Sequence, residues 1–484
     1  MDLYPSVVES IRAQRALLEA DLVYWAGRAS GSGDLPQHTS QVARLREQIA
    51  AALAATVDGT PVAADARMPF DGDVDELPGL RRGVGTVHLM WDFFRSKLAQ
   101  RDTPAYALHL GAADDLAWSC YKPFLDAARR AGTVGEQELK EPPLVFYSTD
   151  RTPFAQARSK AFHAPGLDAK DLDRVVTELQ RMPVPVVAMP WALANRLPDV
   201  VFVGHEVGHV IAEDLGFGVE AKTVIGGLAL KDDDAGERRD VWRAWSDEIF
   251  ADVVGVLATG TAFVIALAGE LADAVNAIEH AAISAAKPGV YPTRSLRIAL
   301  CGGVLERLGV KPPQEWAEVY RVAGDSEAYA QDVPALVEAL LEHVWAPVEL
   351  RLPDVLSWNG QLEDEASAVA RSVLRKTPAP VPFNARLWIA AAVQASVERP
   401  EEYARLALDT SMATFIVRRR NDRTRSVRGV APSDAGEPVT ARGGAHPPSS
   451  DQAAGEAMAE RLGLNPSRTE PRSANARSSH DQHQ

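Results

Sequence analysis

The sequence predicts a mainly α fold with a small β-sheet, an α+β arrangement in which helices carry most of the core. Three observations lead there. Apolar residues recur at helical spacing through most of the first 132 residues, and helical segments return from about residue 240 to 418. Only two runs, PPLVFYST (142–149) and VPVVAMP (184–190), have the β-branched, proline-bounded character of strands. From residue 421 the chain is rich in Arg, Ser, Pro, Gly and Ala and almost lacks large apolar side chains, so disorder is expected there.

At 484 residues the chain has room for two or three domains with sizeable cores. The texture divides it into a helical N-terminal region (1–140), a central region holding both strands (141–345), a helical C-terminal region (346–420) and a tail (421–484). A formal charge of −15 argues against nucleic-acid binding, which needs clustered Lys and Arg, and the Arg418–Arg420 run reads as a solvated helix end. Cys120 and Cys301 are the only cysteines, so there is no disulfide framework and no thiolate metal site. The opening residues lack the basic and apolar stretches of a secretory signal, and a cytoplasmic location is expected.

Taken in order, residues 6–56 read as two helices separated by a Gly/Ser/Pro break at 30–36. A Pro/Gly/Asp-rich loop is expected over 57–80, then a helical region over about 84–132 whose Trp91, Phe93, Phe94, Trp118, Tyr121 and Phe124 fit a core. His88 and His109 lie among them without a ligand pattern and read as structural. Between the strands, 167–181 reads as a helix, and another is expected over about 199–216, ended by Gly216. The uncharged stretch 253–269 is at the lower limit for a membrane span and has no flanking Lys/Arg cluster, so a buried helix fits it better. Further helices are expected over 270–286, 294–308, 314–323, 333–345, 361–376 and 385–418.

The chemistry gathers in VVFVGHEVGHVI (200–211), where His205, Glu206 and His209 form an HExxH motif. Two histidines four apart on a helix project from one face and can reach a single Zn²⁺, while Glu206 faces the open coordination position. Zinc lowers the pKa of its bound water to about 7, and such a carboxylate can take the proton as water attacks a carbonyl. The bland alternative is a partly buried polar helix whose histidines are satisfied by hydrogen bonds. A third ligand is still needed, and AWSDEIFADVVG (244–255) offers Glu248 and Asp252 four apart on an otherwise apolar helix. Glu248 is assigned as the ligand. Asp252 is assigned as the acceptor for the free N–H of a ligating histidine. Asp247 faces about 100° away and is a lesser candidate. A strand ahead of the motif helix can offer its edge to an extended peptide, and the sequence leaves open which run does so.

These motifs resemble the gluzincin zinc peptidases, and within them the HtpX and CAAX-prenyl-endopeptidase group with its soluble minimal relatives. Glu248-Ile249-Phe250-Ala251-Asp252 matches that group's E-x-x-A-D signature. Tyr291-Pro292-Thr293-Arg294-Ser295-Leu296-Arg297-Ile298 matches its H-P-x-x-x-x-R-I motif, except that Tyr291 replaces the histidine. The resemblance covers roughly 140–310. It implies a zincin-like core with helical extensions, one Zn²⁺ per chain and a peptide or protein substrate. It also implies that Arg297 lies near the metal, holding ligands or stabilising the oxyanion. Tyr291 can donate to that oxyanion or can be a packing residue; Arg294 is a lesser candidate, with a surface position as the alternative.

The expected function is zinc-dependent endopeptidase activity. Three other readings stay open: a helical interaction or regulatory protein with a structural or inactive zinc site, a hydrolase of a non-peptide amide, and autoproteolysis of the tail from about 421, which could enter the cleft in cis.

Overall fold

The computed structural model describes residues 4–30, 33, 35–57, 77–135, 138, 140–156, 182–230, 235–272, 283, 289, 291–312, 326–379 and 383–427. Three N-terminal helices, α1 (Tyr4–Arg28), α2 (Thr39–Val57) and α3 (Leu77–Leu98), are followed by the long α4 (Pro104–Arg130). Then come β1 (Leu144–Ser148), β2 (Phe154–Gln156) and β3 (Val186–Pro190). The chain is mainly helical, with these three strands as its small sheet among the described residues.

The sheet order is β1-β3-β2: β3 lies in the centre, parallel to β1 and antiparallel to β2. Alternation sends successive side chains to opposite faces. Leu144, Phe146 and Val186 pack with α1, α2 and α3, whereas Val145, Tyr147, Val187 and Met189 pack into the larger core that begins with α4. The sheet therefore forms the layer between two hydrophobic clusters.

A 3-10 turn (Pro198–Val201) runs into α5 (Phe202–Asp214), the motif helix, and then α6 (Phe217–Gly226) and α7 (Ala235–Ala244). The apolar stretch expected as one buried helix is two, α8 (Ser246–Thr259) and α9 (Thr261–Ala272). The break is at Gly260, with φ of 60°, where a Cβ would also strike the Trp358 indole. Among the described residues no helix is long and apolar enough to cross a membrane.

Then follow α10 (Arg294–Arg307), α11 (Ser326–Glu342), the one-turn α12 (Leu352–Val355) and α13 (Gly360–Leu374). The segment expected to be helical over 385–418 is divided into α14 (Ala385–Glu398), α15 (Pro400–Arg405) and α16 (Leu408–Val427). Pro400 cannot continue the preceding hydrogen-bond ladder, and Ala407 turns the chain with a φ of 49°. α16 carries helix past residue 421, where the tail was expected to begin. Most of the expected loop at 57–80, the helices at 167–181 and 314–323, the end of that at 270–286, and the chain beyond 427 lie outside the described residues.

Candidate metal centre

The motif helix α5 is built to be buried. Val203, Val207, Val210 and Ile211 have no exposed surface, and the left-handed Gly216 (φ 84°) ends the segment before α6 begins. Its contact with α8 is unusually close. A Cβ on Gly208 would lie 2.7 Å from the Ala251 Cα and 3.1 Å from the Val254 Cβ, while one on Gly204 would lie 3.1 Å from the Ala258 Cβ. The two glycines, four apart, leave a strip of α5 bare of side chains where the α8 backbone approaches most closely. That approach carries Glu248 up to the histidine pair.

The Nε2 atoms of His205 and His209 are 3.2 Å apart. Glu248 Oε2 is 3.5 Å from His205 Nε2, and Glu248 Oε1 is 3.5 Å from His209 Nε2. A tetrahedral zinc site with bonds of 2.0–2.1 Å has ligand–ligand edges of about 3.3–3.4 Å; the histidine pair is close to that spacing, and the Glu248 carboxylate faces both rings with one oxygen toward each, one ligand atom from each of the three side chains lying within 4.8 Å of the others. Glu248 Oε2 is buried without a hydrogen-bond partner, which suits an atom meant for a metal. The donor set of two imidazoles and one carboxylate fits zinc.

Support comes from the next layer of side chains. Asp252, wholly buried one turn along α8, lies 2.9 Å from His205 Nδ1, although the ring N–H is not aligned on the oxygen. It accepts two hydrogen bonds from Arg297 of α10, at 2.8 Å from Nε and 2.6 Å from Nη2. Phe263 of α9 stacks on the His205 ring at 5.9 Å and 15°. Burial opposes charge on His205, yet Asp252 and Glu248 push its pKa up to about 9. Burial opposes charge on Asp252 too, but Arg297 and His205 hold its carboxyl well below the ordinary range. Glu248 is shifted the same way: burial opposes its charge, and His205, His209 and Arg297 favour it.

Glu206 differs. It is buried, and that burial, reinforced by Glu248, pushes its carboxyl up to about 7 against the pull of His205. The nearby Ala155 backbone of β2 favours its charged form as well. Tyr291 is 56% exposed, with its ring 5.9 Å from the Arg297 guanidinium, so it flanks the site and does not pack into the core. Burial and the nearby Glu248 raise its pKa.

The structure thus brings His205, His209, Glu248, Asp252 and Arg297 together, with Glu206 and Tyr291 beside them. Asp247 is exposed and pairs with Lys222 at 3.3 Å, away from the cluster. Arg294, for which a surface position was the alternative, is buried. Sequence reasoning missed β2, because three residues without a β-branched side chain are too short to show alternation. The turn-forming Ser148-Thr149-Asp150 ahead of it was the one available signal. It also missed Phe263 as a wall of the site. Comparison with models of protein families, with curated proteins and with solved structures found no match for this chain.

Proposed function

We propose that this chain is a zinc-dependent endopeptidase. The observation that supports the reading is the convergence of His205, His209 and Glu248, one ligand atom from each within 4.8 Å of the others, with a buried Glu206 next to them. Zinc held by the three ligands would supply an acidified water and a Lewis acid for the scissile carbonyl. Glu206, whose carboxyl burial pushes up to about 7 before any cation is bound, would take a proton from the attacking water and pass it to the departing amine. Asp252 orients His205 and is itself clamped by Arg297. With its guanidinium committed to Asp252, Arg297 serves as a positioning residue. The exposed Tyr291 phenol is then the better donor to the developing oxyanion.

β2 is the sheet edge on the side of the motif helix, and an extended substrate would pair with it. The two cysteines are free and buried, in keeping with the cytoplasmic location we propose.

The test uses purified protein and a quenched-fluorescent peptide library. Wild type should hold about one zinc per chain, His205→Ala none. Glu206→Gln should keep the metal and lose activity by about 10²–10⁴-fold. Cleavage by Glu206→Gln at the wild-type rate, or equal inactivity of both zinc-loaded proteins on every substrate, would remove the hydrolytic reading and leave a helical interaction protein with a structural zinc.

A further inference from the structure

Helix α1 is apolar on two opposite faces. Val8, Ile11, Leu18, Leu22 and Trp25 form the inner face and are buried in the cluster with α2 and α3. A helix with one buried stripe normally turns charged side chains outward, as α2 does with Arg44, Arg46 and Glu47. The outer face of α1 differs. Ala13, Leu17, Ala20, Tyr24 and Gly27 follow at intervals of four, three, four and three residues, and all are exposed. This is the spacing of a seam between paired helices. Leu17 is 67% exposed, Tyr24 59%, and Val23 beside them 58%. Apolar residues scattered singly over a surface need no explanation, but a contiguous stripe of them does.

The charges that border the stripe are matched within the chain. At about 100° per residue, Arg12 and Glu19 fall on one flank, Asp21 and Arg28 on the other. Arg28 pairs with Asp102 at 2.6 Å, Glu19 pairs with Arg15 at 2.9 Å, and Asp21 accepts from the Trp91 indole at 2.6 Å. Arg12 stands 4.0 Å from Glu9. The rim therefore neither selects a charged partner nor repels a copy of itself. A chain of net charge −15, with three arginines against three acids along α1, is poorly suited to an anionic membrane surface.

The stripe is also complementary to itself. With a second α1 laid antiparallel, Ala13 faces Tyr24 and Ala20 faces Leu17. Each large side chain then meets a small one in every layer, and a two-fold axis leaves the pairing unchanged. A parallel pair would set large against large and leave gaps between the alanines. Tyr24 is already held in place, its ring edge-on to Trp25 at 5.9 Å and 5.9 Å from the Arg28 guanidinium, so docking orders little. The two stripes together would cover on the order of 1,000 Å², the lower limit for a specific, reversible complex.

We propose that the outer face of α1 is a homodimerisation surface, on which α1 of a second copy docks antiparallel. It uses no residue of the metal centre and does not rest on the peptidase reading.

The test is sedimentation velocity on the full chain across about 1–200 μM. Wild type should pass from monomer to dimer within that range. Leu17→Glu with Tyr24→Glu should weaken the dimer at least about thirtyfold while keeping the wild-type circular-dichroism spectrum, because both side chains are exposed. Ala20→Arg, also at an exposed position, carries the test if that variant fails to fold. Direction is read from disulfides, since both native cysteines are buried. An equal mixture of Ala13→Cys and Tyr24→Cys chains should form the mixed disulfide on air oxidation, and Ala13→Cys alone should form none. Self-cross-linking of Ala13→Cys would show a parallel pair and overturn the antiparallel docking. A wild type that stays monomeric, or a dimer that persists unchanged in Leu17→Glu with Tyr24→Glu, overturns the proposal. A monomer that sediments with phosphatidylglycerol vesicles would assign the face to a membrane surface instead.

Discussion

His205 has to answer two demands: its Nε2 faces His209 and Glu248, and its Nδ1 faces the buried Asp252. The carboxylates favour its charged form, with a pKa of about 9, so at pH 7 the metal-free ring carries a proton that a metal must displace. Zinc uptake at pH 7 should therefore release about one proton, with affinity rising as pH climbs toward 9 and levelling above it. Calorimetry in buffers of different ionisation enthalpy measures this directly. Zero release at pH 7 would contradict the charge state that the Asp252–His205 contact implies.

The spacing of the ligands is a property of two helices. α5 and α8 approach over Gly204 and Gly208, and no rotamer change can relieve a Cβ placed 2.7 Å from the Ala251 backbone. Gly208→Ala should push the helices apart, costing about 1–3 kcal/mol of stability and at least tenfold in zinc affinity. Urea unfolding and a zinc competition assay separate the two effects. A variant with wild-type zinc affinity would mean that Glu248 reaches the histidines by another route. On the other face of the sheet, α3 carries Lys97, whose Nζ sits 3.3 Å from the Phe93 ring centroid and bonds to the Phe93 carbonyl. Burial pulls its pKa down to about 7, far below the unfolded value, so the unfolded chain binds the extra proton between about pH 7 and 10.4. Stability should rise with pH across that window. Lys97→Met should flatten the rise and raise the midpoint at pH 7 by a few degrees in a thermal melt.

The two hydrophobic clusters are joined by a buried ionic network as well as by the sheet between them. Asp114 of α4 accepts from Arg101 at 2.6 Å, lies 3.2 Å from His38, and shares Arg101 with the Val145 carbonyl of β1 at 2.7 Å. This links the turn before α2, the turn after α3, α4 and the sheet. Burial opposes the charge on Asp114, yet Arg101 and His38 hold its pKa far below the ordinary range, while burial lowers that of His38. Both folded values are depressed, so both contributions are present above the unfolded pKa values and are lost as pH falls. The His38 share goes below about 6.5 and the Asp114 share below about 3.9. Asp114→Ala leaves Arg101 buried without its partner and should cost about 3–5 kcal/mol at pH 7, with a shallower loss between pH 4 and 2. Urea midpoints across that range check both; an unchanged midpoint at pH 7 would mean the network is not what joins the clusters.

What the sequence determined by itself is what lies within one or two turns of backbone. The i, i+4 pairing of His205 with His209, and of Glu248 with Asp252, follows from helix geometry, and β1 and β3 follow from β-branched runs bounded by proline. The mainly helical architecture follows from the same periodicity. Tertiary structure alone decided that Glu248 stops 3.5 Å from both histidines, that Arg297 grips Asp252, that a three-residue strand forms the edge beside Glu206, and that Arg294 is buried. Each of these depends on contacts between segments tens of residues apart, set by how closely packed surfaces can approach. A glycine in the sequence shows that such an approach is permitted, and only the partner helix shows that it is used.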